Sequence, residues 1–374
     1  MSFIKIYFFV FRAGFISSNS GMRRREFICA STGTLLAMPN LVLGAARKIR
    51  IGQIGVSHSH ASGKLGSIRN LSEDYELVGI AQPKEFESKR IPDSGVYRGV
   101  KKMSEEDLLS TPGLEAVAIE TEVPGLVAAA KRAVTVGLHI HHDKPGGVNL
   151  SDFQELITLA KQKKCIVQMG YMLRYNPAFQ FMYRAVKEGW LGEVMEIDAM
   201  MGKMASSSLR KELARYEGGG MFELACHLID SVVFVLGKPK SVRAFNIKSQ
   251  GDTVSDNQLA VLEYEKATAT VRCNHRDYFG FSRRRFQVGG DKGVIEIHPM
   301  EPGKTLQLSL FESKGGYKRG TQTVELPDRQ GGRYDGEFLD LAKVIRGEKV
   351  FDWSYEHDLA VQETLLQASG MPIK

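Results

Sequence analysis

From Lys48 onward, short apolar runs alternate with amphipathic stretches, and this constrains the fold more than any other feature. Runs at Ile49–Val56, Tyr75–Ala81, Ala116–Ile119, Leu138–His142 and Ile166–Met169 have the length and side chains of strands. Helices are predicted between them, near Ala61–Asn70, Glu105–Leu109, Leu126–Val136 and Asp152–Lys163. The last carries a capping box, with Ser151 at the cap and Gln154 three residues on. Strands separated by helices need crossover connections, so the sheet is parallel and covered on both faces. Ligands of such sheets bind at the carboxyl ends of the strands.

After Trp190 the pattern changes to longer runs with every second residue apolar: Val194–Met200, Val242–Ile247, Leu259–Tyr264, Ala269–Cys273, Arg285–Val288, Val294–His298 and Leu306–Phe311. Such alternation suits an open, mainly antiparallel sheet with one face packed on helices. Its other face invites a second copy, giving a homo-oligomer. Helices near Gly336–Arg346 and Tyr355–Ser369 are expected to return to the first half. The predicted class is therefore α/β: a doubly wound Rossmann-type parallel sheet at 47–172, then an α/β domain with a large open sheet at 173–374.

The first 46 residues read as an address. Met22-Arg-Arg-Arg-Glu-Phe27 precedes a moderately apolar run to Leu43 and the small residues Gly44-Ala45-Ala46. This is the order of an export signal, and its Arg24-Arg25-Glu26-Phe27 core resembles a twin-arginine leader. Translation is expected to start at Met22, and the mature protein to be periplasmic. Four of the seven net positive charges fall in this segment, so the basic balance argues little for nucleic acid. No run after residue 46 is long and apolar enough to span a membrane. Cys165, Cys226 and Cys273 are too scattered for a disulfide framework or a Cys-x-x-Cys metal site.

The first strand runs into Gly55-Val-Ser57-His58-Ser-His60. Read as G-x-G-x-x-G, only Gly55 fits, with Ser57 and His60 in the second and third places. The second strand ends in Gln82-Pro-Lys84, where a ribose-binding carboxylate is usual. With no carboxylate to repel a 2′-phosphate and a lysine at hand, NADP is favoured over NAD.

Three further motifs follow: His142-Asp143-Lys144-Pro145, then Gly170-Tyr-Met-Leu-Arg174-Tyr175-Asn176-Pro177, then Gly218-Gly-Gly-Met-Phe-Glu223-Leu-Ala-Cys-His227-Leu-Ile-Asp230. In this order and spacing the chain resembles the Gfo/Idh/MocA oxidoreductases over about residues 48–370. The resemblance implies a nicotinamide enzyme acting on sugars, inositols or related polyols. Asp143-Lys144-Pro145 matches the family's Glu-Lys-Pro, which implies that Lys144 is catalytic. Glu223 and His227 match its Asp-x-x-x-His pair, which implies that the imidazole deprotonates the substrate hydroxyl with carboxylate help. Of the family's Thr-Pro-Asn-x-x-His run only Thr121 is kept. The implied cofactor contacts are Gly55, Ser57, His58, His60, Gln82, Lys84, Thr121, Asp143 and Lys144.

The residues themselves leave alternatives open. Lys144, at a strand end, suits a proton shuttle or an oriented donor to a substrate oxygen, with a pKa lowered by partial burial, or a crevice lysine that holds phosphate. Glu223, His227 and Asp230 fall at i, i+4 and i+7 of a predicted helix, on one face. That triplet suits a catalytic network or a satisfied core histidine; no metal site is expected from it. Arg174, Tyr175, Asn176 and Asp230 are expected to contact substrate, although Asn176 also suits a helix cap before Pro177. Two other activities fit the same pattern: a redox-neutral glycoside hydrolase or lyase, and a carbohydrate-binding protein without turnover.

Overall fold

The computed structural model describes residues 47–86, 90–329 and 331–373. The expected leader and the start at Met22 lie outside the described residues. In chain order the first half contains β1 (Ile49–Ile54), α1 (Ala61–Asn70), β2 (Tyr75–Ala81), β3 (Lys102–Met103), α2 (Glu105–Leu109), β4 (Ala116–Ile119), α3 (Leu126–Thr135), β5 (His139–His142), α4 (Leu150–Lys163) and β6 (Val167–Met169). The strands form one sheet in the order β3-β2-β1-β4-β5-β6, every pair parallel. The strand order reverses between β1 and β4, so their carboxyl ends flank the crevice. β1, β4 and β5 are buried almost throughout, because helices cover both faces.

The second half contains α5 (Pro177–Lys187), β7 (Val194–Gly202), α6 (Ser207–Leu213), α7 (Gly219–Glu223), α8 (Cys226–Leu236), β8 (Ser241–Ile247), β9 (Asn257–Glu263), β10 (Thr268–Asn274), β11 (Arg285–Gly290), β12 (Gly293–Ile297), β13 (Thr305–Leu310), β14 (Gly320–Glu325), α9 (Asp335–Ile345) and α10 (Tyr355–Ala368). Its eight strands run β14-β13-β12-β11-β7-β10-β9-β8, antiparallel except for the β7–β10 pair. Burial alternates along β9, β10 and β13, as one covered face requires. α9 returns to the first sheet: Tyr75 donates to the Phe338 carbonyl, and Phe338 packs in the core with Ile49, Ile51 and Ala118.

Two local expectations are corrected. The cap of α4 is Asn149, whose side chain accepts from the Ser151 N–H, so Ser151 lies inside the helix. The stretch predicted as one helix through Glu223 and His227 is two helices, because Leu224 and Ala225 separate α7 from α8. Among the described residues no helix is long and apolar enough to cross a membrane.

Candidate active site

Gly55 makes the turn after β1 with φ +98°, and a Cβ there would lie 2.5 Å from the Glu120 carbonyl carbon. Only glycine fits this close approach to β4. The loop then folds back on the sheet. The N–H groups of Ser57 and His58 both donate to the Glu120 carbonyl, and Val56 N–H donates to Gln82 Oε1. Gln82 also donates to the Ser57 hydroxyl, so it ties the loop to the end of β2. Beyond β2, Gln82, Lys84, Glu85, Ser104 and Arg132 line a cavity of about 600 Å³. These features fit the adenosine part of a dinucleotide, with a lysine at its rim. The loop offers fewer main-chain donors than a glycine-rich one.

His58 and Asp143, expected to contact cofactor, face each other. His58 Nε2 bonds the Lys144 carbonyl, and Nδ1 lies 3.1 Å from Asp143. His60 Nδ1 is also 3.1 Å from Asp143. Thr121 is fully buried, with its hydroxyl on the Glu122 carbonyl.

Lys144 follows β5 and is 1% exposed. Its ammonium donates to the Glu223 main-chain carbonyl at 2.6 Å and lies 3.7 Å from the Glu223 carboxylate. Burial opposes the charge, but Glu223 outweighs it and raises the Lys144 pKa. This corrects the lowered value expected from burial alone: the group is a fixed cation. The Glu223 carboxylate accepts from Lys203 and bonds His275 Nε2 at 3.2 Å. Burial works against its ionisation, yet Lys144 and Lys203 hold its pKa well below the ordinary carboxylate range.

His227, at the start of α8, is 2% exposed and meets the edge of Tyr171. Its Nδ1 is buried without a hydrogen-bond partner among the described residues. Burial, reinforced by the Lys144 charge, pushes its pKa well below the ordinary histidine value, so the ring is neutral. The expected carboxylate partner is not there, because the helix break turns Glu223 toward His275. Sequence reasoning missed Lys203 and His275. The available signal was the glycine run: a Cβ on Gly220 would lie 1.8 Å from His275 Nδ1.

The residues expected to contact substrate all have partners within the protein. Arg174 is fully buried, 2.6 Å from both Asp230 and Asp358, with its guanidinium over Trp353. Asp230 also bonds His357. Asn176 caps α5 through the Ala178 N–H. Tyr175 donates to Asp340 and accepts from Gln168. These contacts join α5, α8, α9 and α10.

A parallel dinucleotide-type sheet with a lysine at the end of β5, joined to a large second sheet, defines a class of nicotinamide-linked oxidoreductases. Two family models match the chain: the NAD-binding Rossmann fold of the oxidoreductase family at residues 49–171, and the GFO/IDH/MocA C-terminal domain at 179–296. The chain belongs to the Gfo/Idh/MocA family. It is 25% identical over 215 residues to the oxidoreductase YhhX of Escherichia coli, covering 57% of this chain and 61% of that protein. It is 26% identical over 200 residues to bovine trans-1,2-dihydrobenzene-1,2-diol dehydrogenase, covering 51% and 57%. Each match thus spans about three-fifths of the relative's length. Among solved structures, a levoglucosan dehydrogenase bound to NADH and levoglucosan matches with a TM-score of 0.73 at 16% identity, covering 87% of this chain and 97% of that one. The WlbA dehydrogenase of Bordetella pertussis, bound to NADH and UDP-GlcNAcA, matches at 0.69 and 17%, covering 86% and 95%. These two likenesses bear on fold.

Proposed function

We propose that this chain is an NAD(P)-dependent oxidoreductase acting on a sugar, inositol or related polyol, with Lys144 and His227 as its reacting groups. The observation that carries this reading is a fixed ammonium at the carboxyl end of β5, anchored on Glu223, whose charge acts on a neutral, buried imidazole at the start of α8. When bound, the dinucleotide supplies the hydride acceptor or donor. Gly55 and Ser57 hold its phosphate side, and Gln82 and Lys84 its adenosine side. Lys144 donates to the substrate oxygen at the reacting carbon. His227 takes the hydroxyl proton, a contribution of about 10²–10⁴-fold for a positioned base. Glu223 acts through Lys144, keeping the ammonium charged and aimed. Dehydrogenase relatives and the NADH-bound neighbours support this reading.

Denaturing the pure protein and identifying released nucleotide by mass spectrometry tests the cofactor. Incubating a polyol panel with NADP⁺ or NAD⁺ and analysing products tests the reaction. Oxidised sugar with stoichiometric reduced cofactor is expected; cleavage without net reduction would contradict a net dehydrogenase. The mature chain is further proposed to act in the periplasm, which an intact mass starting after Ala46 would support. Exposed Phe245, Ile247 and Phe311 on the strands and edge of the second sheet support a homo-oligomer, to be read by light scattering.

A further inference from the structure

A series of contacts leads from one proposed reacting group round to the other. Lys144 is anchored on Glu223, and Glu223 accepts from Lys203, the residue after β7. The carbonyl of Gly202, which ends β7, accepts from Arg284 Nε at 3.4 Å. Arg284 Nη1 lies 3.0 Å from Glu301 Oε2, and Arg333 Nη2 lies 3.0 Å from the same oxygen. Arg333 Nε in turn donates to the Met172 sulfur, and Tyr171 beside it meets the His227 ring. Two guanidiniums therefore stand on the path that joins Lys144 to His227. They come from the approaches to β11 and α9.

One carboxylate serves both of them. Among the described residues Glu301 is the only carboxylate that pairs with either arginine. The neighbours in the same arginine run each have their own: Arg283 has Asp277, and Arg285 has Asp198. Arg284 is 4% exposed, and burial, reinforced by the Arg333 charge, outweighs Glu301 and lowers its pKa. Arg174 shows the opposite balance: Asp230 and Asp358 outweigh burial there and raise it. The hydrogen bonds of Arg284 leave from Nε and Nη1, and those of Arg333 from Nε and Nη2. Arg284 Nη2 and Arg333 Nη1 thus have no hydrogen-bond partner among the described residues. The Arg333 side chain is 40% exposed, so an anion can reach the pair from solvent. A guanidinium offers a planar fork that matches a carboxylate. Two cations on one carboxylate leave one net positive charge, which suits a carboxylate better than a phosphate of about −1.5 to −2.

We propose that Arg333 and Arg284 bind a carboxylate on the substrate, so that the polyol is a sugar acid of the uronate class. This rests on the hydride-transfer reading, because the anchor is placed relative to Lys144 and His227. A charged anchor away from the reacting carbon fixes which hydroxyl faces the imidazole.

The test is calorimetry on the full mature chain, with and without NADP⁺. The uronates of glucose, galactose and mannose are compared with their neutral parent sugars, and glucose 6-phosphate is the phosphate control. At least one uronate should bind about tenfold or more tighter than its parent, an advantage that shrinks as salt rises. Arg333→Gln should remove the advantage and leave neutral-sugar binding unchanged, with the circular dichroism of the parent. Arg333→Lys keeps the charge without the fork, so it should keep part of the advantage. If Arg333→Gln does not fold, Arg333→Lys decides, and an undiminished preference there overturns the proposal. No preference for any uronate, a preference that survives Arg333→Gln, or tighter binding of glucose 6-phosphate than of every uronate also overturns it. A chain that binds dinucleotide but shows no acid preference loses this inference alone, whereas failure to bind dinucleotide removes the reading on which it rests.

Discussion

The Lys144 ammonium is held twice by one residue, at 2.6 Å by the Glu223 main-chain carbonyl and at 3.7 Å by its carboxylate. A lysine placed this way has no freedom to shuttle protons. It is a positioned cation, and its charge depends on Glu223. Glu223→Gln keeps the shape and removes the countercharge. Breaking a buried pair costs about 3–5 kcal/mol, because the remaining charge stays buried. The urea midpoint should fall accordingly, and Glu223→Asp should recover part of the loss.

His227→Ala removes the proposed proton acceptor and leaves the Glu223 partners of Lys144 in place. The hydride step should slow by about 10²–10⁴-fold. Dinucleotide affinity should stay within a few fold, because the residues proposed to hold the dinucleotide lie on other elements. Single-turnover kinetics with a pre-bound cofactor separates the two effects. Equal losses in binding and rate would remove His227 from the reaction.

Arg174 is fully buried between two carboxylates, and a stabilising role is expected of it. It joins Asp230 of α8 to Asp358 of α10, and Arg174→Ala leaves two buried carboxylates facing each other. The expected cost is again about 3–5 kcal/mol, read by urea unfolding. In Arg174→Lys one planar fork is replaced by a point charge, so an intermediate loss is expected with an unchanged substrate KM. A raised KM at unchanged stability would restore the substrate role.

Acid should destabilise the protein through these same carboxylates. Glu223 and Asp230 both have folded pKa values below their ordinary 4.5 and 3.8: burial works against ionisation, and Lys144 and Arg174 respectively outweigh it. The stability they contribute is present above those ordinary values. As pH falls below them the unfolded chain takes up protons first, and stability declines until the folded groups titrate. Melting temperatures from about pH 7 to about pH 3 should therefore fall in the acid range, less steeply in Glu223→Gln. A flat profile would contradict the pairing.

Much of the fold is legible in the sequence because it is local. The period of the apolar runs dictates the parallel sheet, and a lysine between a strand and Pro145 has to sit at a carboxyl end. The helix break at Leu224 and Ala225 leaves no trace, since the apolar spacing continues through it. The partners of Glu223 are equally hidden: Lys203 follows β7 and His275 follows β10, 20 and 52 residues away. Arg174 and Asp358, 184 residues apart, meet only because α10 packs on α8. Close tertiary approach decides such sites, and the glycines at 219 and 220 were its visible sign.

Lys84 lines the cavity beyond β2, proposed to take the adenosine side of the dinucleotide, and should set cofactor choice. Lys84→Glu should weaken NADPH binding relative to NADH by about tenfold, or roughly 1.4 kcal/mol. Equal effects on both cofactors would place the lysine outside the 2′-phosphate contact.

Equilibrium titration of the mature chain with NADPH and NADH, followed by nicotinamide fluorescence, tests the central claim most directly. One saturable site per chain is expected, with NADPH the tighter ligand and with nicotinamide emission altered in Lys144→Ala. Failure of both dinucleotides to saturate, in protein shown to release no nucleotide on denaturation, would contradict it.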